Sequence, residues 1–185
     1  MRSLVVFNQV SLDGYIADAK GDMSWAHQHD DEWNSFVAGN AKGDGVLVFG
    51  RVTYEMMASW WPTPQAIQSM PAVAESMNRF PKVVFSRTLD RVSWNNTRLV
   101  KSDLMAEIRK MKSESGPDML IFGSGTIVSQ LTQAGLIDEY QLVVNPVILG
   151  AGKSMFAGVT EKLPLKRTRT RAFGNGNVFS CYQKT

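Results

Sequence analysis

The residues best equipped for chemistry fall where apolar runs give way to helical spacing. In residues 119–131, Met119, Leu120, Ile121 and Phe122 read as a buried strand, and Ile127, Val128 and Leu131 recur at the interval of a helix face. Between them stand Gly123, Ser124, Gly125 and Thr126, the "GSGT" of "LIFGSGTIVSQL". Two glycines there let a ligand approach the main chain, and the first N–H groups of a helix, unpartnered within it, attract an anion. The same composition makes an ordinary strand-to-helix turn, so this stretch alone does not decide between the two. Two further stretches weigh against the turn alone. "FGRVTYE" sets Gly50, Arg51 and Thr53 after a second apolar run, and "FSRT" sets Ser86, Arg87 and Thr88 after a third. Three strand ends thus offer hydroxyls, guanidinium groups and free backbone N–H groups, the set that a ligand with several phosphates requires. Two arginines so placed also suit a ribose 2′-phosphate, which favours the phosphorylated nicotinamide dinucleotide over the plain one.

Two carboxylates are candidates for proton chemistry. Asp13 follows the first apolar run in "NQVSLDGYIA", and Asp30 lies in "GDMSWAHQHDDEW". A carboxyl group with a raised pKa can hold or relay a proton to the nitrogen of a bound ring. Asp30 equally suits the N-cap of a helix that opens at Asp31 with an acidic first turn. His27 and His29 lack a cysteine or a third ligand at a supporting spacing, so no metal centre is expected. Trp60 and Trp61, in "SWWPTP", can stack on a flat ring or pack in a core or at an interface. Lys153, in the loop after the strand at 140–149, is either a solvated lysine or a contact for a substrate phosphate.

These residues need elements to hold them. "SLVVFNQV", "DGVLVFG", "PKVVFS" and "DMLIFG" read as strands, and helical patterns follow Asp30, Gly50, Ser102 and Thr126, with Ser102 expected as an N-cap. Beyond residue 139 the helices stop: "YQLVVNPVIL", "LKRTRTRAF" and "NVFSCYQKT" read as consecutive strands. In the second of these, "KRTRTR" alternates as a strand with a solvated face does. The pattern predicts one α/β domain over residues 1–185, a central mixed, mainly parallel sheet flanked by helices and finished by antiparallel strands at one edge. Ligands of such sheets collect at the carboxyl ends of the strands, where the glycines, hydroxyls and arginines stand. A dinucleotide-binding Rossmann unit fits poorly, because "GSGTIV" lacks the third glycine and no strand-ending acid follows about 20 residues on.

Composition narrows the setting. The 20 basic and 17 acidic residues give a net charge of +3 without blocks of like charge, so no nucleic-acid or membrane partner is expected. A single cysteine, Cys181, cannot close an internal disulfide, and neither a signal peptide nor a spanning apolar run is evident; a cytoplasmic small-molecule enzyme is the expectation.

The ordered set "SLDGYIA", Trp25, "FGRVTYE", "VVFSRT", "IFGSGT" and "NPVILGAG" resembles the dihydrofolate-reductase-like superfamily, and within it the branch of the riboflavin-biosynthesis reductase domain. The likeness runs from about residue 3 to the C-terminus. It implies a dihydrofolate-reductase-like fold, NADPH as cofactor, and hydride transfer to a C=N bond of a pterin- or pyrimidine-like ring or of a ribosylamino-pyrimidine. It further implies that Gly50, Arg51 and Thr53 contact the cofactor phosphates, that Ser86 and Arg87 bind the 2′-phosphate end, and that Gly123, Ser124, Gly125 and Thr126 cradle the pyrophosphate. The backbone of Val10 would face the nicotinamide, Asp13 or Asp30 would handle the proton, and Trp25 and Trp61 would border the substrate. Relatives of this branch pair through their sheets, which implies a homodimer. The alternative reading is a non-catalytic NADP(H)-binding sensor that kept the cofactor loops.

Overall fold

The computed structural model describes residues 1–27 and 30–185. The chain runs β1 (Leu4–Ser11), β2 (Tyr15–Asp18), a single 3-10 turn (Ser24–Ala26), α1 (Asp31–Asn40), β3 (Val46–Gly50), α2 (Arg51–Trp60), α3 (Pro64–Ser69) and α4 (Pro71–Arg79). It continues with β4 (Lys82–Phe85), β5 (Thr97–Val100), α5 (Leu104–Ser113), β6 (Met119–Phe122), α6 (Gly125–Gln133), β7 (Glu139–Asn145), β8 (Gly152–Ser154), β9 (Leu165–Ala172) and β10 (Val178–Lys184). Eight strands form one sheet in the order β5-β4-β3-β6-β1-β7-β10-β9. The first six are parallel, and β10 and β9 finish the edge antiparallel, as the loss of helices after residue 139 predicts.

The central strands are apolar on both faces because helices cover both. On one face Val6, Val46, Val48 and Ile121 pack under Ile108 and Met111 of α5 and Ile127, Val128 and Leu131 of α6. On the other, Leu47 and Phe49 meet Tyr54 of α2 and Val73 and Met77 of α4. Farther along that second face, Trp33 of α1 stands edge-on to Phe173 at 5.2 Å and clusters with Val143 and Phe179. The helices change face between the β3 and β6 crossovers, which opens a crevice at the carboxyl ends of these adjacent strands.

Helix starts are handled in two ways. Side-chain caps close α1, α3 and α5: Asp30 accepts from Trp33 N–H, Thr63 from Ala66 N–H, and Asp103 from Ala106 N–H. The cap of α5 is therefore Asp103 and not Ser102, whose register is one residue too early for the N–H it would have to reach. No side chain caps α2 or α6. α4 lacks one as well, but it runs on from α3 and opens at Pro71, which has no N–H to satisfy.

Two features escape the sequence pattern. The first is a separate two-stranded sheet of β2 and β8, in which a Cβ at Gly152 would stand 2.2 Å from the Ala17 carbonyl. The second is a register shift opposite Cys181 and Tyr182, which puts Arg167 on the other face of β9 from Arg169 and Arg171. All of β9 is exposed, as expected of "KRTRTR". The Arg169 guanidinium lies 4.8 Å above the Phe179 ring, and Arg171 pairs with Glu32 at 2.6 Å.

Candidate functional site

The two uncapped helices start at neighbouring strand ends, β3 and β6, and one polar network joins them. Gly50 N–H donates to Ser124 Oγ at 2.7 Å, and Ser124 N–H and Oγ–H both donate to Thr53 Oγ1, at 3.0 and 3.1 Å. From the middle of β1, buried Asn8 clasps the turn: its Oδ1 accepts from Gly123 N–H at 2.6 Å, and its Nδ2 donates to the Gly123 carbonyl at 3.3 Å. Gly123 and Ser124 both take the left-handed conformation, φ +58° and +52°. A serine held there is strained by about 1–3 kcal/mol and persists only where its surroundings fix it, as Thr53 and Gly50 do. The first N–H groups of α2 and α6 remain uncapped at the same edge, so two helix dipoles direct their positive ends toward one region.

The three glycines do different work. A Cβ at Gly50 would fall 2.7 Å from Ser124 Oγ, and one at Gly123 would fall 2.6 Å from Thr53 Oγ1, so both let the two turns interlock. At Gly125 the near groups are the Ser154 carbonyl, 3.0 Å away, and Ile16 Cδ1, 3.3 Å away. Gly125 thus admits the β2–β8 sheet against α6, a role for which a ligand is not required. Thr126 is exposed on the first turn of α6 and borders a groove of about 490 Å³ that reaches Met105 of α5.

The arginines and Ser86 sit at the neighbouring strand ends. Arg51 is about half exposed and pairs with Glu55 one helical turn on, at 3.0 Å, an exposed contact of small energy that a ligand can displace. Ser86 Oγ accepts from Thr88 and Leu89 N–H, at 3.2 and 3.0 Å, and so organises its own turn. Arg87 is exposed on that turn and makes no ion pair among the described residues. Val10 is buried, and its carbonyl accepts from Asn145 Nδ2 at 3.3 Å.

The two carboxylates are held differently. Asp13 accepts from Ser11 Oγ at 2.7 Å, Gly150 N–H at 2.8 Å and Leu149 N–H at 3.1 Å, and so ties the loop after β1 to the loop after β7. The Ser11 hydroxyl, which outweighs the opposing effect of desolvation and is aided by those N–H groups, holds its carboxyl below the ordinary carboxylate range. That is the reverse of the raised pKa expected of a proton donor. Asp30 commits Oδ1 to Trp33 N–H at 2.6 Å, and a side chain at Gly174, in the β9–β10 turn, would stand 3.6 Å from its Oδ2.

Trp61 is half-buried and packs against the core under α2 and α4, with Nε1 3.0 Å from Met57 Sδ and its carbonyl accepting from Asn78 Nδ2, while Trp60 is the exposed one of the pair. Trp25 lies in the 3-10 turn, half-buried, and donates to the Asp22 carbonyl at 3.1 Å. Lys153 is exposed on β8. His27 is exposed; His29 lies outside the described residues, among which no group of three His, Cys, Asp or Glu gathers around a metal-sized space. Among the described residues no helix is long and apolar enough to cross a membrane. Sequence reasoning missed Asn8 and Asn145. The signal for Asn8 was an amide, beside that of Gln9, inside an otherwise apolar strand, which demands a hydrogen-bond partner.

The sheet order, with its antiparallel edge and its crevice at β3 and β6, is that of a dihydrofolate-reductase-like protein. Dihydrofolate reductase of Enterococcus faecalis, solved with NADP(H), superposes with a TM-score of 0.66 at 15% identity, covering 99% of this chain and 96% of that one. The chain belongs to the RibD C-terminal domain family, which it matches over residues 2–179. It is similar to the uncharacterized protein YyaP of Bacillus subtilis, 27% identical over 181 residues, 98% of this chain and 94% of the relative. It is also similar to a Shewanella sp. PV-4 protein whose name ties it to riboflavin biosynthesis, with a TM-score of 0.74, 25% identity and 99% coverage of each chain.

Proposed function

We propose that the protein is an NADPH-dependent reductase that transfers a hydride to a C=N bond of a pterin- or pyrimidine-like ring or of a ribosylamino-pyrimidine. The observation that carries this reading is the pair of uncapped helix N-termini, α2 and α6, locked side by side by Gly50, Thr53, Ser124 and Asn8. That arrangement fits a pyrophosphate, and family membership together with the fold shared with an NADP(H)-complexed reductase supports the same cofactor. When bound, the cofactor supplies the hydride to carbon, becoming NADP⁺, while the substrate nitrogen takes a proton, so that C=N becomes HC–NH. The chain's own residues bind and orient. Gly123, Ser124, Gly125 and Thr126 offer the pyrophosphate cradle, Gly50 and Thr53 the adjoining turn, and Arg51 and Arg87 with Ser86 the 2′-phosphate end. The Val10 backbone borders the nicotinamide and Trp25 the substrate. Asp30, with one oxygen left over from capping, relays the proton, and Asp13, already anionic and triply bonded, positions the loop. In this reading the protein works on a small molecule in the cytoplasm as one domain, in keeping with its one buried free cysteine.

The cofactor preference tests the assignment. Arginine contacts to the 2′-phosphate, discounted because both side chains are exposed, still favour NADPH over NADH at least tenfold, or about 1.4 kcal/mol. Arg87→Ala should remove most of that difference in a fluorescence titration; equal affinities in the wild type would remove the assignment. Steady NADPH oxidation with a pterin or pyrimidine panel supports turnover, and tight binding without oxidation across the panel points to the sensor instead.

We also infer a homodimer. Two β9 edges paired about Thr170 would set arginine against arginine, which disfavours edge-to-edge growth. Leu165 and Val178, each 37% exposed on the opposite face from Arg169 and Arg171, provide the apolar contact. Light scattering should read about twice the chain mass of 20.5 kDa at micromolar concentration, and a value at the chain mass itself would exclude the pairing.

A further inference from the structure

An open cavity of about 530 Å³ lies at the amino ends of β3, β4 and β5, the opposite edge of the sheet from the glycine turns, and is lined by Arg2, Lys82, Trp94, Arg98, Met111 and Glu114 among others. Arg2 is only 8% exposed. Its Nε donates to the Pro117 carbonyl at 2.6 Å, but its buried Nη2 has no hydrogen-bond partner, and no described carboxylate lies within ion-pair distance. A guanidinium cannot shed its charge, so burying one without a counter-ion is costly unless an anion joins it. The nearby acids are otherwise engaged or exposed: Asp118 accepts from Ser3 N–H at 2.7 Å, Glu107 pairs with Arg98 at 2.7 Å, and Glu114 is exposed at the end of α5.

A second buried cation faces the same cavity. Lys82, 1% exposed, donates from Nζ to the carbonyls of Phe80, Asn78 and Asn95 at 2.8, 3.1 and 3.1 Å, and lies 4.4 Å from the Trp94 ring centroid. Burial pushes its pKa down to about 8, while three acceptors and the face of the indole favour the charged form. Lys82 has no proton left for a ligand, and it packs with Leu47 and Trp94 on the other face of the sheet from Arg2, so Arg2 alone offers the ligand contact.

We propose that this cavity is a second ligand site, separate from the nucleotide crevice, which takes a phosphate group through the guanidinium of Arg2. Phosphate suits it because the planar fork of the Arg2 guanidinium matches two phosphate oxygens at once. The group can arrive as free phosphate or as the monoester of a metabolite.

Thermal melts and ³¹P titrations of the full chain with inorganic phosphate, against sodium chloride at equal ionic strength, test the assignment. Phosphate should raise the melting temperature of the wild type and of Arg87→Ala, while Arg2→Gln should bind phosphate at least tenfold more weakly. Arg2→Lys, which keeps the charge but not the fork, should respond in between, and serves if Arg2→Gln folds poorly. Ribose 5-phosphate binding more tightly than inorganic phosphate identifies a sugar-phosphate source; the reverse order identifies free phosphate. No response in the wild type beyond that to chloride, or an equal response in Arg2→Gln, overturns the proposal. So does a response that appears only in Glu114→Gln, since Glu114 would then be the resident counter-ion.

Discussion

Asp30→Asn is expected to lower kcat by a factor of about 10²–10⁴, the usual contribution of a positioned proton donor, while the fold and NADPH affinity stay close to wild type. The substitution is informative because Asp30 has two jobs. Its Oδ1 caps α1 through Trp33 N–H, and asparagine caps a helix about as well as aspartate. Only the negative charge near the helix dipole is lost, a term of at most about 1 kcal/mol. Capping therefore survives and proton transfer does not. Asp13→Asn provides the contrast. The wild-type carboxylate receives three hydrogen bonds, and an amide has one acceptor oxygen to offer in their place. That variant should speed amide exchange at Leu149 and Gly150 and raise KM, with kcat falling much less. Steady-state rates on whichever substrate of the panel is reduced, combined with melts of both variants, separate the roles. A kcat within a few-fold of wild type for Asp30→Asn would mean that the proton comes from elsewhere.

Much of this arrangement is legible in the sequence because local and global signals agree there. Apolar runs ending in glycine mark β3 and β6, and the 3.6-residue spacing that follows marks α2 and α6. What was hidden is long-range or very short. Asn8 and Gly123 are 115 positions apart, and neither stretch names its partner. β2 and β8 have four and three residues, too few for alternation to register. Glycine alone does not reveal its neighbour: Gly123 and Gly125 look alike in "GSGT", yet one meets Thr53 and the other the Ser154 carbonyl. Trp61 shows the same ambiguity, since an aromatic after a helix can face a ligand or a core, and its contacts with Met57 and Asn78 are not written in the local sequence. The unpaired Arg2 had no signal at all, because a basic second residue ordinarily lies in solvent.

Gly123→Val should act on stability and on cofactor binding together, and the second effect should exceed what the first explains. A β-branched residue at φ +58° costs about 1–2 kcal/mol in backbone strain, and displacing Thr53, whose Oγ1 would be 2.6 Å from the new Cβ, adds roughly 1–3 kcal/mol of overpacking. In a chain of this size that corresponds to a melting temperature lower by roughly 10 °C. The displaced Thr53 releases Ser124, and with it the alignment of the uncapped N–H groups of α2 and α6. NADPH affinity should therefore fall by at least tenfold even at a temperature where the variant is fully folded. Gly125→Ala is the internal comparison. There the added methyl presses on the Ser154 carbonyl and Ile16, so stability should drop by less than in Gly123→Val and affinity should change only slightly. Titrating both variants well below their melting points distinguishes a turn that merely folds from one that holds phosphates. Unchanged NADPH affinity in folded Gly123→Val would leave the Gly50–Thr53–Ser124 network a structural joint, and would remove the observation on which the cofactor assignment rests.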